Sequence, residues 1–378
     1  MTDSPIYLDY NATTPVDPRV VEAMLPWLRG GFGNPSSDHA YGRDAKAAVD
    51  HAREQVAALI GARPDEIMFT SCATEANNLA ILGVARALQG GSRHRLLYSA
   101  IEHPAVAQPM RHLAGAGWQA EMIGVDASGR VDPAQVAIDV DVALVSVMLA
   151  NNEVGTLQPV AEIAAQVHAA GALIHVDAAQ AVGKIPVYVN ELGCDLLTLA
   201  GHKFYAPKGV GALYVRAGTP IQSIQFGASH EGGLRPGTEN VSHIVAMGEA
   251  ARLAREALGM EYARIRNLRD DLQRRLADAI PGLLLNGHAS ERLPNTLNVS
   301  FPGIAGWQLL AAVPKLAAST GSACHAGQHQ ASGVLGAMGC SGERAAGAVR
   351  LSLGRFTTLS EIELAAAALI TAWRKLAA

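Results

Sequence analysis

Charge is scarce in this sequence and nearly balanced. Asp, Glu, Lys and Arg together make up 17% of the 378 residues, and the net charge is −4. That balance gives no electrostatic reason to expect nucleic acid or an anionic membrane as a partner, and a small-molecule substrate fits better. Long apolar runs are missing: stretches such as Val142 to Ala150 fall far short of the ~20 residues that a membrane span needs. The opening, Met1-Thr-Asp-Ser-Pro-Ile-Tyr-Leu-Asp9, lacks a basic stretch followed by an apolar one, so no secretory signal is expected and the expected location is cytoplasmic. Cysteine is rare. Cys72, Cys194, Cys324 and Cys340 form no C-x-x-C pair, and four in a chain this long are not a disulfide framework. Each is read first as a small buried apolar residue. Internal repeats and low-complexity linkers are absent as well.

Hydrophobic residues make up 49%, enough for burial to offset chain entropy. A chain beyond roughly 250–300 residues usually divides into domains. The first two-thirds alternates short apolar runs with helical patterns. Strands are expected at 66–70, 95–99, 142–147, 172–176, 196–199 and 211–215, with a helix over 160–170 after Pro159. Runs that are apolar on both faces indicate a mostly parallel, buried sheet with helices on either side, an α/β arrangement. Beyond about residue 241 the pattern changes. A helical stretch runs through Leu253, Tyr262, Leu268 and Leu276 to Pro281-Gly282, then strands at 296–300 and 349–353 flank a Gly-rich loop at 319–333. A last helix opens on an expected capping box of Ser360 and Glu363. This part reads as a second, smaller α+β domain.

Four local patterns point to chemistry. Lys203 follows an apolar strand in Ala200-Gly-His-Lys-Phe204, where partial desolvation would lower its pKa and make it a Schiff-base nucleophile. The plain alternative is a solvated loop lysine. Asp177 ends a strand, where open α/β sheets bind ligands. Such an acid keeps a pyridine nitrogen protonated, although it also serves as an ordinary helix cap. Thr70-Ser-Cys-Ala-Thr-Glu75 runs from a strand into a helix, a setting suited to a phosphate or simply to an N-cap. His103, in Ile101-Glu-His-Pro104, stands where an imidazole stacks on a ring or shuttles protons, or only packs. One cofactor, pyridoxal 5'-phosphate (PLP), accounts for all four.

The motifs occur in a familiar order. Tyr7-Leu-Asp-Tyr-Asn-Ala-Thr-Thr-Pro15, Gly33-Asn-Pro-Ser-Ser37, Ala73-Thr-Glu-Ala-Asn-Asn78, Asn151-Asn-Glu-Val-Gly155 and His175-Val-Asp-Ala-Ala-Gln180 come first. Gly201-His-Lys203, Arg235-Pro-Gly-Thr-Glu-Asn240, Gly321-Ser-Ala-Cys324 and Arg350-Leu-Ser-Leu-Gly-Arg-Phe-Thr-Thr358 follow. Nearly end to end, the chain resembles the class V aminotransferase-type PLP enzymes, and among them the cysteine desulfurase and selenocysteine lyase family. The resemblance implies the PLP-dependent transferase fold of type I. A large domain over residues 16–255 would carry a mostly parallel seven-stranded sheet, and residues 1–15 and 256–378 would form the small domain. It also implies roles. Lys203 would hold PLP covalently, His103 would stack on the ring, Asp177 would pair with its nitrogen, and Gln180 would bond its phenolic oxygen. Ala73, Thr74 and His202 would bind the phosphate. Thr238 would reach the phosphate in the other subunit of a homodimer with shared active sites. Asn152 and Arg350 would hold the substrate carboxylate, a task that suits the arginine fork. No metal is called for.

Cys324 lies in a segment rich in glycine and serine, the setting of an accessible thiol, with His325 beside it. The resemblance implies that it takes sulfur from L-cysteine as a persulfide, leaving L-alanine and, through the persulfide, serving a sulfur acceptor. The long segment Gly321 to Gly339 resembles the branch that hands sulfur to a partner protein. Gly321-Ser-Ala-Cys-His325, Tyr10-Asn11 and Ser146-Val-Met-Leu-Ala-Asn-Asn152 also resemble selenocysteine lyases, so L-selenocysteine is the alternative substrate; a small-substrate aminotransferase is a remoter one. The sequence departs from the family at Gly227-Ala-Ser-His-Glu-Gly-Gly233, where His230 and Gly232 replace glutamine and arginine, and at Cys72, which replaces glycine.

Overall fold

The apolar runs become neighbouring strands in a computed structural model that describes residues 5–320 and 332–377. After β1 (Ile6–Tyr7) come β2 (Ile67–Thr70), β3 (Arg95–Ser99), β4 (Gln119–Ile123), β5 (Val142–Ser146), β6 (Leu173–Asp177), β7 (Leu196–Ala200) and β8 (Gly211–Val215). Among the described residues, β2 to β8 form one sheet in the order β2-β8-β7-β6-β5-β3-β4. From β7 to β4 all neighbours are parallel, and β8 alone runs against both β2 and β7. β5 and β7 are buried at every position, as strands covered on both faces must be. Alternate side chains enter opposite faces of the large sheet, which together make its core. Phe69, Val145, Val176 and Leu197 join one beneath helices Ala40–Ile60 and Val160–Ala169, while Met68, Leu144, Leu196 and Leu213 join another beneath Ala73–Ala87 and Pro104–Ala114.

β4 is an addition to the strands expected from the sequence. It lies at the sheet edge, and of Gln119-Ala-Glu-Met-Ile123 only Ile123 is buried, so no apolar run announced it. The helical stretch beyond residue 241 is one helix of 39 residues, Val241–Ala279. Its first part, through Ala254, packs in the core with the large sheet; Ile265, Leu272 and Leu276 belong to a second core.

That second core is built on β9 (Leu284–Asn286), β10 (Thr296–Ser300) and β12 (Ala348–Ser352), an antiparallel sheet in the order β12-β10-β9. β11 (Leu316–Ala317) pairs in parallel with β1, which brings Leu8 into the same core. A short helix, Gly333–Ala337, begins where the Gly-rich stretch ends and is capped by Ser332, whose Oγ accepts from the Leu335 amide at 3.1 Å. The capping box of the last helix, Leu359–Leu376, is Thr358 with Glu361 and not Ser360 with Glu363. The Ser/Thr-x-x-Glu pattern occurs twice, two residues apart. The turn in which the Thr357 amide donates to Gly354 O starts the helix on the earlier copy. No helix among the described residues is long and apolar enough to cross a membrane.

Arg355 ties three distant segments together. Its guanidinium meets Asp17 at 2.7 Å and Glu261 at 2.5 Å, and lies 4.4 Å from the centre of the Tyr205 ring. Removing it strands Glu261 beside the core, because Asp17 keeps Arg19 and Glu261 has no comparable substitute. Arg355→Met is expected to lower unfolding free energy by roughly 3 kcal/mol, the scale for breaking a buried pair, measured by urea denaturation.

Candidate active site

The carboxyl edge of the parallel strands is where the sequence motifs meet. Each strand ends in a turn that projects polar groups beyond the sheet, because the backbone there no longer has a neighbour to pair with. β2 leads to Cys72, Ala73 and Thr74, and β3 to His103. β5 leads to Asn152, β6 ends on Asp177 and leads to Gln180, and β7 to His202 and Lys203. With Asp9, Asn11 and Arg350 from the other core, they line one cleft of about 980 Å³.

Lys203 occupies a single helical turn, Gly201–Lys203, straight after β7. Its Nζ donates to the carbonyl oxygens of Asn11 at 2.6 Å and Ala12 at 2.7 Å. Burial, reinforced by Arg350, pulls its ammonium from 10.5 down to about 8, against the opposing pull of Asp9 and Asp177. Burial and Lys203 likewise bring His202 down to about 4, and its Nδ1 lies 3.1 Å from Thr13 Oγ1. Asp177 is buried but satisfied: it accepts from Asn77 Nδ2 at 2.8 Å and from the Ala179 amide at 2.9 Å. Beneath it His175 is clasped by Ser146 and Thr198, and burial holds it neutral at about 4.

His103 is the N-cap of helix Pro104–Ala114. Its Nδ1 accepts from the Ala105 amide at 3.1 Å, so the proton of the neutral ring resides on Nε2. Burial lowers its pKa, with Asp177 opposing and Lys203 adding to the effect. Gln180 donates from Nε2 to Asn11 O at 2.9 Å. Arg350 is anchored by Asp9 at 2.7 Å and by Asn152 O at 3.0 Å, while its buried Nε has no partner among the described residues.

These residues fit PLP. Helix Ala73–Ala87 begins without a side-chain cap, leaving the amides of its first turn to a ligand such as a phosphate. At Gly211 a Cβ would come within 2.7 Å of Cys72 C and 3.0 Å of Ala73 N, so β8 can support that turn closely only with glycine. A carboxylate, a ring-bearing histidine and a partly desolvated lysine face the same space.

Thr238 is not brought into this cleft. It is exposed and lines a separate depression with Ser71, Arg235 and Glu239. Cys324 and His325 lie outside the described residues. Cys194 is buried, and burial pushes its thiol up to about 12, but Cys72 and Cys340 are only half-buried, which corrects the expectation for both. Cys72 lines the cleft because it stands at the N-cap position of a helix whose opening faces the ligand space. In the departing segment, Glu231 adopts φ +47°. It meets Arg53 at 2.7 Å and accepts from the Phe69 amide at 2.9 Å. The flanking Gly232 and Gly233, at φ +64° and +82°, permit the turn that delivers it.

Three polar residues in or beside the site were given no role from the sequence. Asn11 and Asn77 lie in quoted motifs but carry no charge or spacing to mark them. Glu102 accepts from Ser99 Oγ at 2.8 Å and the Met148 amide at 2.6 Å, and burial with nearby Asp177 pushes its carboxyl up to about 8. In the cofactor-free protein the Lys203 amine is expected to become reactive as pH rises through about 8. Its neutral fraction falls about tenfold per unit below that point. Mass-spectrometric acylation rates of the Lys203 peptide across pH 6–11 measure this; a midpoint near 10.5 contradicts it.

Comparison with known proteins accords with the geometry. A family model for the class-V aminotransferases matches residues 6–364. The cysteine desulfurase IscS of Dictyoglomus turgidum is 45% identical over 361 residues, covering 94% of this chain and 91% of that protein. Among solved structures, a NifS-like protein superposes with a TM-score of 0.91 at 38% identity, over 98% of this chain and 99% of its own. SspA, solved in complex with cysteine, gives a TM-score of 0.82 at 33% identity, over 93% and 99%. The chain belongs to the class-V aminotransferase family of PLP-dependent enzymes.

Proposed function

We propose that this protein is a PLP-dependent cysteine desulfurase, converting L-cysteine to L-alanine and passing the sulfur to Cys324. The observation that carries the reading is the convergence of Lys203, Asp177 and Arg350 in one cleft, in a chain with cysteine desulfurases as relatives. When bound, PLP supplies an electron sink for the pair left behind when the substrate Cα loses its proton.

The chain's own residues divide the remaining work. Arg350 and Asn152 take the substrate carboxylate. Lys203 holds the cofactor and then carries the proton at Cα, a task its lowered pKa suits near neutral pH. Asp177, fixed by Asn77 and the Ala179 amide, keeps the pyridine nitrogen protonated. His103 covers the ring, and Gln180 donates to the phenolic oxygen. Ala73, Thr74 and His202 hold the phosphate. Cys324 thiolate attacks the substrate sulfur, an S–S bond forms as the Cβ–S bond breaks, and the net change is cysteine plus thiol to alanine plus persulfide.

The exposed position of Thr238, away from its own cleft, supports a homodimer in which it completes the partner's phosphate site. We take the two cores to be two domains, 16–255 and 1–15 with 256–378, and the persulfide to serve an acceptor protein in the cytoplasm.

L-cysteine and L-selenocysteine supplied separately should both be assayed for alanine and for sulfide or selenide. Alanine from cysteine that disappears in Cys324→Ala and Lys203→Ala is the expected result. Alanine from selenocysteine alone would favour a selenocysteine lyase, and transamination surviving Cys324→Ala an aminotransferase. Arg350→Ala is expected to raise KM for cysteine roughly 10–100-fold, the scale for losing a hydrogen-bonded charge, in steady-state kinetics.

A further inference from the structure

A second amine lies behind the cofactor cleft. Lys184 follows Gln180 by four residues in the turn after β6, and no role was assigned to it above. The residue as a whole is partly exposed, yet its Nζ turns inward and donates to Gln180 Oε1 at 2.5 Å and Asn11 Oδ1 at 3.1 Å. Its charged neighbours, Lys203 and Arg350, are cations, and burial together with them drives its pKa well below 10.5. An amine is kept in such a place against its own solvation only where its donors are required.

What the donors accomplish follows from amide chemistry. A glutamine side chain is nearly symmetric in shape, and its two ends differ only in hydrogen bonding. Gln180 Nε2 faces the Asn11 carbonyl, which can only accept, and Gln180 Oε1 faces Lys184. The orientation of Asn11 is fixed in turn. Its Nδ2 donates to Asn152 O at 3.1 Å and Thr296 Oγ1 at 2.8 Å, so its Oδ1 must face Lys184 and Asn295 Nδ2. Gln180 Nε2 has two hydrogens and Asn11 O takes one, leaving the second for the cleft that Gln180 lines.

We propose that Lys184 is a positioning residue that locks the Gln180 amide so that an N–H, and not the carbonyl oxygen, faces the phenolic oxygen of the bound cofactor. This rests on the assignment of the cleft to PLP. Without the lysine, Oε1 loses its donor and the Asn11 carbonyl alone opposes rotation of the amide, so the flipped form, with its oxygen against the phenolic oxygen, becomes more accessible. The phenolic oxygen then recovers electron density and holds the proton on the neighbouring cofactor–Lys203 nitrogen more tightly.

The test is a pH titration of the visible absorbance of the holoenzyme. Lys184→Met should raise the midpoint by about one unit, the scale of a removed hydrogen bond. Lys184→Arg, which keeps donors at that position, should shift it less. In a double-mutant cycle, Lys184→Met added to Gln180→Leu should shift it by less than half of what it does alone. A midpoint unmoved in Lys184→Met, or full additivity with Gln180→Leu, overturns the proposal while leaving the PLP assignment intact. A wild type without a visible band overturns both. If Lys184→Met does not fold, Lys184→Ala, which also removes the donors, is titrated in its place, and a midpoint equal to the wild type's likewise overturns the proposal.

Discussion

Asn11 is the point through which the separate parts of this protein hold one another. Its amide donates to Ser352 Oγ at 2.9 Å in the smaller sheet, and its carbonyl accepts from both Lys203 and Gln180 on the larger one. Its side chain spans Asn152, Thr296, Asn295 and Lys184. A residue with so many fixed partners, buried to 1% exposure, loses almost every bond if the two sheets shift relative to each other. The segment before the first helix thus works as a strap across the cleft. Its geometry decides where Lys203, Arg350 and Gln180 come to rest.

The electrostatics of the cleft follow from that arrangement. Lys203, Lys184 and Arg350 crowd one region, with Asp9 and Asp177 as the nearby acids. Burial is the main reason both lysines give up protons more readily than in water, and the neighbouring basic groups add to it. Basic groups outnumber acids in this partly desolvated space, which suits an anionic cofactor and a substrate carboxylate. Glu102 shows the opposite response in the same neighbourhood: enclosed near Asp177, its carboxyl resists ionisation.

Much of this was legible in the sequence because the strands that carry the site are buried on both faces. Runs such as Val142-Ala-Leu-Val-Ser146 cannot be mistaken for surface, and the turn after each one is where a ligand binds. Lys203, Asp177 and His103 could be placed on that edge without coordinates. Edge strand β4 could not, since an exposed strand carries no apolar signature. Nor could Asn11 or Lys184, whose importance lies in contacts spanning 173 residues of sequence. The capping box slipped by two residues because the pattern repeats and only the preceding turn chooses between copies. The family resemblance supplied the remaining roles by position.

The long helix Val241–Ala279 has a mechanical consequence. At 1.5 Å per residue it is a rod about 58 Å long, seated at one end beneath the large sheet and at the other beneath the small one. Its hydrogen bonds run unbroken past residue 255, where the family resemblance would divide the chain. A rod shared in this way resists bending and transmits torque. One rod therefore joins the sheet that leads to Lys203 to the sheet that carries Arg350.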